Sequence, residues 1–450
     1  MKNNSIFICT NCDAQSPKWS GRCLDCGKWN TLEESAVSKN VKSENIKPAK
    51  VATLDSVDSK SKQRFSTGIG EVDQVLGASA DVPGFVSGSL VLLGGDPGIG
   101  KSTLALQIAL NSSKTGLSTL YVSGEESLSQ IRLRAERITN ILDKLRVLSE
   151  TNLEVILATM ESIRPVFVII DSIQTMYSES ATGVAGGLSQ VSMATARILQ
   201  TAKPLGITVL IIGHVTKEGN LAGPRTLEHM VDVVMYLEGE RFMSSRILRC
   251  VKNRFGGTNE VGVFEMKAAG LSVVKNPSEV FLSERSHKKA GSAITCTVEG
   301  TRPLLLEVQS LTTKTQFNYP KRTATGFDYN RLQLISAVIQ KSLRIDLFSS
   351  DVFVSVAGGF KITETACDLA LAMSVVSSLK EKMVPEDTVM VGELGLTGEI
   401  RRVGQIEKRI AEAAKLGFKK MIIPTGQKVT STKIKLVPVA DLAEAVRAIG

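Results

Sequence analysis

Between about Arg64 and Asn276 the chain alternates short, continuous apolar runs with stretches of helical period. The runs are SLVLLGG (89–95), LSTLYVSG (117–124), FVIID (167–171), ITVLIIGHV (207–215) and VVMYLEG (233–239). Runs that are apolar at every position, rather than at alternate ones, suit strands buried on both faces. Helices are expected between them at Lys101–Ser112 and Ser127–Ile138. The pattern predicts an α/β domain, a mostly parallel sheet covered by helices on both sides. The stretch Ser244–Val274 reads as hairpin strands added at the edge of that sheet.

From about Ser286 to Gly450 the pattern changes. Strands come first, in AITCTVEGTRPLLLEVQSLT (293–312), followed by a helix near Asn330–Leu343 and the strand DVFVSVAGG (351–359). A helix at Glu364–Leu379, a strand near VMVGELG (389–395), a helix at Gln405–Leu416 and the strand KMIIP (420–424) complete a separate α+β domain. Residues 31–63 are rich in Lys and Ser, poor in aromatics and without a clean period, which predicts a flexible linker. The first 30 residues form a small segment of their own, and no tandem repeat is present.

Composition narrows the class. The chain has 450 residues, 43% hydrophobic and 22% charged, ordinary for a globular protein of a few domains. No apolar run approaches the roughly 20 residues of a membrane span. The start, MKNNSIFICTNC, has no apolar signal-peptide core, so a cytoplasmic protein with no membrane partner is expected. Net charge is +9 and the pI about 9.1, which fits an anionic partner, most simply nucleic acid; a mildly basic surface without such a role is the alternative.

Four of the seven cysteines crowd into CTNCDAQSPKWSGRCLDCGKW. Cys9 and Cys12, then Cys23 and Cys26, form two Cys-x2-Cys knuckles ten residues apart. Paired knuckles offer four soft ligands in a tetrahedron, which suits Zn²⁺ and leaves no open position, so the site is structural. Four free thiols or a redox pair is the alternative. Gly27 relaxes the second turn.

GGDPGIGKST follows one apolar strand and opens a helix, the setting a P-loop requires. Gly95, Asp96, Pro97, Gly98, Ile99, Gly100, Lys101, Ser102 and Thr103 are the expected nucleotide cradle. Lys101 is expected on the β- and γ-phosphates and Ser102 on Mg²⁺. Asp171, ending FVIID, is the expected second Mg²⁺ holder, acting through the hydration shell, although an Asp ending a strand is often only a turn residue. LYVSGEES ends in two acids, of which Glu125 is nearer the strand and is favoured for polarising the attacking water. Both acids are alternatively helix N-terminal charges facing solvent. His214, ending ITVLIIGHV, is placed to sense a γ-phosphate or simply to cap the strand.

The P-loop, YVSGEES, FVIID and GHVTKEG, in this order, resemble the RecA/DnaB-type ATPase core. With the four-cysteine ribbon and KNRFG (252–256), the whole chain resembles the bacterial RadA family of DNA repair and recombination proteins. The resemblance implies a RecA-like core on residues 64–276 and ATP with Mg²⁺ as cofactor. It implies a homo-hexameric ring related to DnaB helicases that moves on single-stranded DNA, migrates branched recombination intermediates and works with the recombinase RecA. It puts Glu125 at the hydrolytic position and His214 at the sensor position. It sets SESATGVAGGLSQ (178–190) and TKEGNLAGPRT (216–226) along the DNA channel, with Lys217 and Arg225 as phosphate partners unless they are merely solvated loop charges.

Lys252 and Arg254 of KNRFG are two residues apart on an expected edge strand, so both face one way. The resemblance makes them fingers reaching a neighbour's ATP, where positive charge steadies phosphoryl transfer. A basic edge strand that blocks aggregation is the alternative.

Residues 286–450 resemble the proteolytic domain of Lon. Its nucleophilic serine falls on Ala366 in TETACDLA, and its lysine near Arg409 in GQIEKRIAEA. Alanine is no nucleophile and arginine stays protonated, so an inactive scaffold is expected, with Cys367 and Lys408 as substitutes if the register shifts by one. Three functions compete: a DNA-stimulated motor, an ATP-dependent protease, and an ATP switch that loads a recombinase without translocating.

Overall fold

The computed structural model describes residues 5–12, 14–16, 18–36, 53, 63–77, 84–142, 144–214, 227–239, 244–283, 285, 289–317, 319–430 and 433–449. They fall into two compact units, Met1–Ser61 and Lys62–Gly450.

The first unit is a three-stranded antiparallel sheet in which Ser5–Cys9 lies between Gln15–Ser16 and Leu32–Ala36. The ribbon therefore runs beyond Asn30, into residues expected to be linker. Leu32–Ala36 has a single large apolar residue, Leu32, and pairs along its length with Ser5–Cys9 as an edge strand, which composition does not reveal. Nearly all of the rest of the expected linker lies outside the described residues.

The second unit is built on a nine-stranded sheet. Its strands are β1 (Leu90–Gly95), β2 (Thr119–Ser123), β3 (Arg146–Ser149), β4 (Phe167–Asp171), β5 (Thr208–Ile212), β6 (Val233–Glu238), β7 (Ser245–Asn253), β8 (Val261–Lys267) and β9 (Gly270–Val273). Their order is β9-β8-β7-β6-β1-β5-β4-β2-β3, parallel from β6 to β3 and antiparallel from β7 to β9. The helices α1 (Lys101–Lys114), α2 (Leu128–Ile138), α3 (Leu153–Ile163) and α4 (Leu188–Leu205) cover its parallel part, and the short helix Gly70–Gly77 packs on the β7–β8 edge.

The apolar runs are continuous because each strand feeds two cores. Val91, Leu93, Ile169 and Leu210 pack with α1 and α2 residues such as Ile108 and Ile131 on one face. Leu90, Leu92, Ile170 and Ile211 pack with α3 and α4 residues such as Ile156 and Ile198 on the other. Helix α2 starts where Ser127 and Gln130 form a reciprocal capping box.

The C-terminal half carries a seven-stranded mixed sheet. The order is Arg322–Thr325, Ser350–Val356, Arg302–Lys314, Ser292–Glu299, Thr388–Met390, Lys420–Pro424, Lys435–Val439. Helices Tyr329–Leu343, Asp368–Leu379, Ile406–Lys415 and Leu442–Ala448 accompany it. This half was expected to stand apart, yet its core is continuous with the hairpin edge. Ile247, Val261, Val263 and Val274 share one cluster with Leu304, Leu306 and Phe281. Ion pairs Arg302–Glu71 and Arg249–Glu299, both 2.6 Å, seal the same seam. No helix among the described residues is long and apolar enough to cross a membrane.

Candidate functional site

Parallel strands end together, so the loops at the carboxyl ends of β1, β2, β4 and β5 share one rim. The P-loop leaves β1 there. Gly95 and Gly100 adopt φ of 148° and 113°. A Cβ on Gly95 would lie 2.4 Å from the Leu237 carbonyl oxygen, and one on Gly100 2.5 Å from Met266. Only glycine fits either place.

Gly100 precedes α1 with no side-chain cap, leaving that helix end free for an anion. Lys101 is buried, and its Nζ donates to the carbonyls of Gly95 (2.8 Å) and Asp96 (3.0 Å). Burial pushes its pKa down to about 8, while Asp171, Asp96 and Glu125 pull the other way. A buried ammonium resting on neutral carbonyls fits a phosphate.

Strand β5 separates β1 from β4, and Ser102 bridges the gap by donating to Asp171 Oδ1 at 3.0 Å. The other carboxylate oxygen, Oδ2, accepts from the buried Tyr121 hydroxyl, which in turn accepts from Arg134 Nη2 at 3.1 Å. Burial raises the pKa of Asp171, opposed by the bonds from Tyr121 and Ser102. A hydroxyl and a carboxylate side by side at the end of the P-loop are the donor set that Mg²⁺-nucleotide takes.

The two acids of SGEES separate clearly. Glu126 pairs with Arg134 at 2.7 Å, and burial raises its pKa. Glu125 has no such cation. Its Oε1 accepts from Ser172 Oγ at 2.6 Å and lies 3.5 Å from His214 Nε2. Glu125 and His214 thus meet at the ends of β2 and β5. The Nδ1 of His214 is buried without a partner among the described residues. Tyr121, Arg134 and Ser172 were not singled out from the sequence. Ser172 follows Asp171 directly, but Tyr121 and Arg134 join the site only through strand pairing and the packing of α2.

KNRFG lies at the opposite rim. Asn253 pairs with Val233, and Val233 with Val91, four residues before Gly95 on β1. At roughly 3.3 Å per residue that is about 13 Å along the sheet from the P-loop. Lys252 lies on β7 and Arg254 in the turn just beyond it, and both side chains reach the segment 228–232. The ladder slips between Val234 and Met235, and the strand stops at Asn253. Lys252 Nζ donates to the carbonyls of Glu228 (2.6 Å) and Val231 (2.9 Å). Arg254, 57% exposed, makes one ion pair with Asp232 at 3.2 Å.

Residues 178–190 are described and run into α4 at Leu188. Lys217 and Arg225 lie outside the described residues, with the rest of 216–226.

In the ribbon, the four Sγ atoms lie within 4.8 Å of one another, with Cys9–Cys26 at 3.7 Å and Cys12–Cys23 at 3.6 Å. A zinc tetrahedron with Zn–S near 2.3 Å has edges of roughly 3.8 Å, so the thiols are already spaced for the ion. Gly27 has φ of 73° and its N–H donates to the Cys23 carbonyl at 3.0 Å.

In the C-terminal half, Ala366 is buried in a short turn and Arg409 is fully buried. Arg409 forms a bidentate pair with Glu364, with Nη1 at 3.0 Å from Oε2, and also donates to the carbonyls of Cys296 and Gly404. Burial pushes the Cys367 thiol up to about 12, and Lys408 is exposed. Neither supplies a nucleophile–base pair.

Three family models match the chain: "Rubredoxin metal binding domain" at residues 7–34, "AAA domain" at 80–220 and "Subunit ChlI of Mg-chelatase" at 329–427. The DNA repair protein RadA of Bacillus subtilis is 48% identical over 99% of this chain and 98% of its own length. That of Listeria monocytogenes is 47% identical over 99% and 98%, and that of Streptococcus pyogenes serotype M1 is 51% identical over 94% and 93%. The matched ATPase domain and ribbon agree with the geometry: the cofactors are ATP with Mg²⁺ and a structural zinc.

Proposed function

The chain belongs to the family of the DNA repair protein RadA, an ATPase of repair and recombination, and from that premise we propose that it is a ring-forming, DNA-stimulated motor. It translocates on single-stranded DNA and migrates the branches of recombination intermediates, in company with the recombinase RecA. The ring is a homo-hexamer.

The observation that carries this reading is the separation of KNRFG from its own P-loop by about 13 Å along the sheet. A cation at that rim cannot serve its own nucleotide. It reaches one only when copies pack the KNRFG rim of one against the P-loop rim of the next, a head-to-tail contact that generates rings. Arg254 is the better finger, since it is exposed and gives up only one ion pair. Lys252 would have to release two carbonyls.

In this scheme Lys101 neutralises the phosphates, and Ser102 with Asp171 holds the magnesium, which screens the phosphate charge. Glu125 takes the proton of the attacking water, steadied by Ser172 and His214. Arg254 of a neighbouring copy stabilises the charge that develops in transfer. Each hydrolysis then depends on the neighbour's position, as a motor requires. The loops 178–190 and 216–226, with Lys217 and Arg225, face DNA in this scheme. The C-terminal half serves as a scaffold, since Ala366, the protonated Cys367 and the committed Arg409 leave no protease chemistry.

The test is ATP-dependent unwinding of a forked DNA. Wild type unwinds, and Lys101→Ala and Arg254→Ala alone do not hydrolyse ATP. Mixed together, the two variants regain ATPase, because Lys101→Ala subunits lend Arg254 to intact P-loops. DNA binding and ATPase without unwinding would replace the motor by an ATP switch that assists the recombinase.

A further inference from the structure

The chain has two tryptophans among its 450 residues, and both stand in solvent on the zinc ribbon, Trp19 at 59% and Trp29 at 71% exposure. Leu24, at the tip of the second knuckle, is 92% exposed. Indoles are large apolar surfaces that proteins normally cover. These two contribute nothing to the ribbon's small core, which is Cys9, Cys23 and Leu32 with Phe7, Ala14 and Cys26 against it.

The rings belong to one patch. A Cβ placed on Gly21 would lie 3.6 Å from Trp29 Cζ3 and 4.0 Å from Trp19 Cη2, so the bare glycine backbone sits between them. Arg22 faces Trp29 across an antiparallel bridge, with its guanidinium carbon 6.0 Å from the ring centroid. Between Lys18 and Trp29 there are three cations, Lys18, Arg22 and Lys28, against one acid, Asp25. Lys28 Nζ rests on the neutral Asn11 Oδ1 at 2.6 Å, and Arg22 Nε on the Gly27 carbonyl at 2.8 Å. Among the described residues none of the three is neutralised by a carboxylate.

We infer that this face of the ribbon is a stacking surface for single-stranded DNA. Trp19 and Trp29 take unpaired bases, while Lys18, Arg22 and Lys28 take the linking phosphates. Exposed aromatics interleaved with cations are the chemistry that single strands need, because every base offers a π-face and every linkage a charge. An apolar protein partner would match the indoles and Leu24 but leave three cations facing a surface with no call for them. The inference rests on the DNA reading above and adds to it a contact outside the ATPase loops.

Because the only two tryptophans are in the patch, intrinsic fluorescence of the full chain reads it without a label. The chain is titrated with an oligothymidylate while emission is followed, and anisotropy of a dye-tagged copy of the oligonucleotide reports total binding. Emission is expected to be quenched along the same isotherm as the anisotropy. The Trp19→Ala/Trp29→Ala variant keeps one zinc per chain and its basal ATPase, and binds roughly tenfold more weakly. Full anisotropy change with unaltered emission, and unaltered affinity in the double variant, would overturn the stacking surface while leaving DNA binding intact. No anisotropy change at all would defeat the DNA reading and this inference with it. Emission that responds to added recombinase but not to the oligonucleotide would overturn it in favour of a protein partner.

Discussion

Removing one oxygen atom, by Tyr121→Phe, tests how the carboxylate proposed to hold magnesium is set. Asp171 is buried, 4% exposed, and burial works against its charge. Its Oδ2 receives the Tyr121 hydroxyl and its Oδ1 the Ser102 hydroxyl, both of which favour the carboxylate. Arg134 is the nearest cation, at 3.8 Å, and is already committed to Glu126 at 2.7 Å. The variant keeps the ring, so the packing of Tyr121 beside β3 and β4 and in the core shared with α1 and α2 is preserved. What is lost is one hydrogen bond to a charged acceptor, about 1.5–3 kcal/mol. That corresponds to roughly a ten- to hundredfold weaker hold on the cation, if the bond serves only the ionised form. The sign is determined: with a donor gone, the pKa of Asp171 rises further, and the acid limb of the ATPase profile moves to higher pH. ATPase rate is measured against pH and against Mg²⁺ in wild type and variant. The variant should need more Mg²⁺, recover most of its rate at saturating Mg²⁺, and fail earlier on acidification. Wild-type Mg²⁺ dependence together with a wild-type acid limb would refute the role given to Tyr121.

Three other perturbations have defined outcomes. The pKa of Lys101 in the free protein is pushed down to about 8, so its ammonium is present below that pH and lost above it. Affinity for a fluorescent ATP analogue should be flat below about pH 8 and fall by up to about tenfold per unit above it, as binding takes up a proton. Stripping zinc with a chelator, or replacing Cys9 by Ser, should unfold the ribbon, whose core is little more than its ligands and Leu32. Protease cleavage before residue 64 should then quicken, while basal ATPase of the Lys62–Gly450 unit persists. Arg409→Ala leaves Glu364 without its cation and two carbonyls without donors. A cost of about 3–5 kcal/mol is expected, seen as faster amide exchange in Ser292–Glu299, and a Glu364→Gln/Arg409→Met pair should recover most of it.

What the sequence disclosed was whatever chemistry needs contiguous residues. The P-loop and the cysteine knuckles are local turns, so their spacing carries their function. The apolar runs disclosed the sheet because burial on both faces removes polar positions altogether. Contacts made between distant segments were opaque. Tyr121 reads as one more apolar residue of LYVSG, and its bond to Asp171 exists only because β2 lies beside β4. The sequence favours Glu125 over Glu126 only for lying nearer the strand end; the reason visible in the fold is Arg134, one helix away, which claims Glu126 and leaves Glu125 beside His214. The strand alternation behind a paired Lys252 and Arg254 reaches only to Asn253, so the place of Arg254 in the turn that follows could not be read from it.

The C-terminal half bears on the proposed motor through the same strand. Strand β7 ends in KNRFG, and Arg249, five residues before Arg254, pairs with Glu299 of the C-terminal sheet at 2.6 Å. Glu299 closes the strand that carries Cys296, whose carbonyl receives Arg409. Arg409 in turn grips Glu364 with both arms, while Glu364 accepts from the Val298 N–H at 2.9 Å. A lysine at 409 would present a single point of donation, where arginine's planar fork holds a carboxylate and two carbonyls together. Arg409, at the position where the resemblance to Lon would put a lysine, therefore ties Ser292–Glu299 to its neighbours. Through Arg249 that strand steadies the edge from which Arg254 would reach a neighbour's phosphate in the proposed ring. A finger that acts across an interface has to be held in position before the interface forms, since misplacement by about 1 Å costs roughly a hundredfold in rate. A scaffold packed onto β7 and β8 meets that requirement, whereas one joined by a free linker would not.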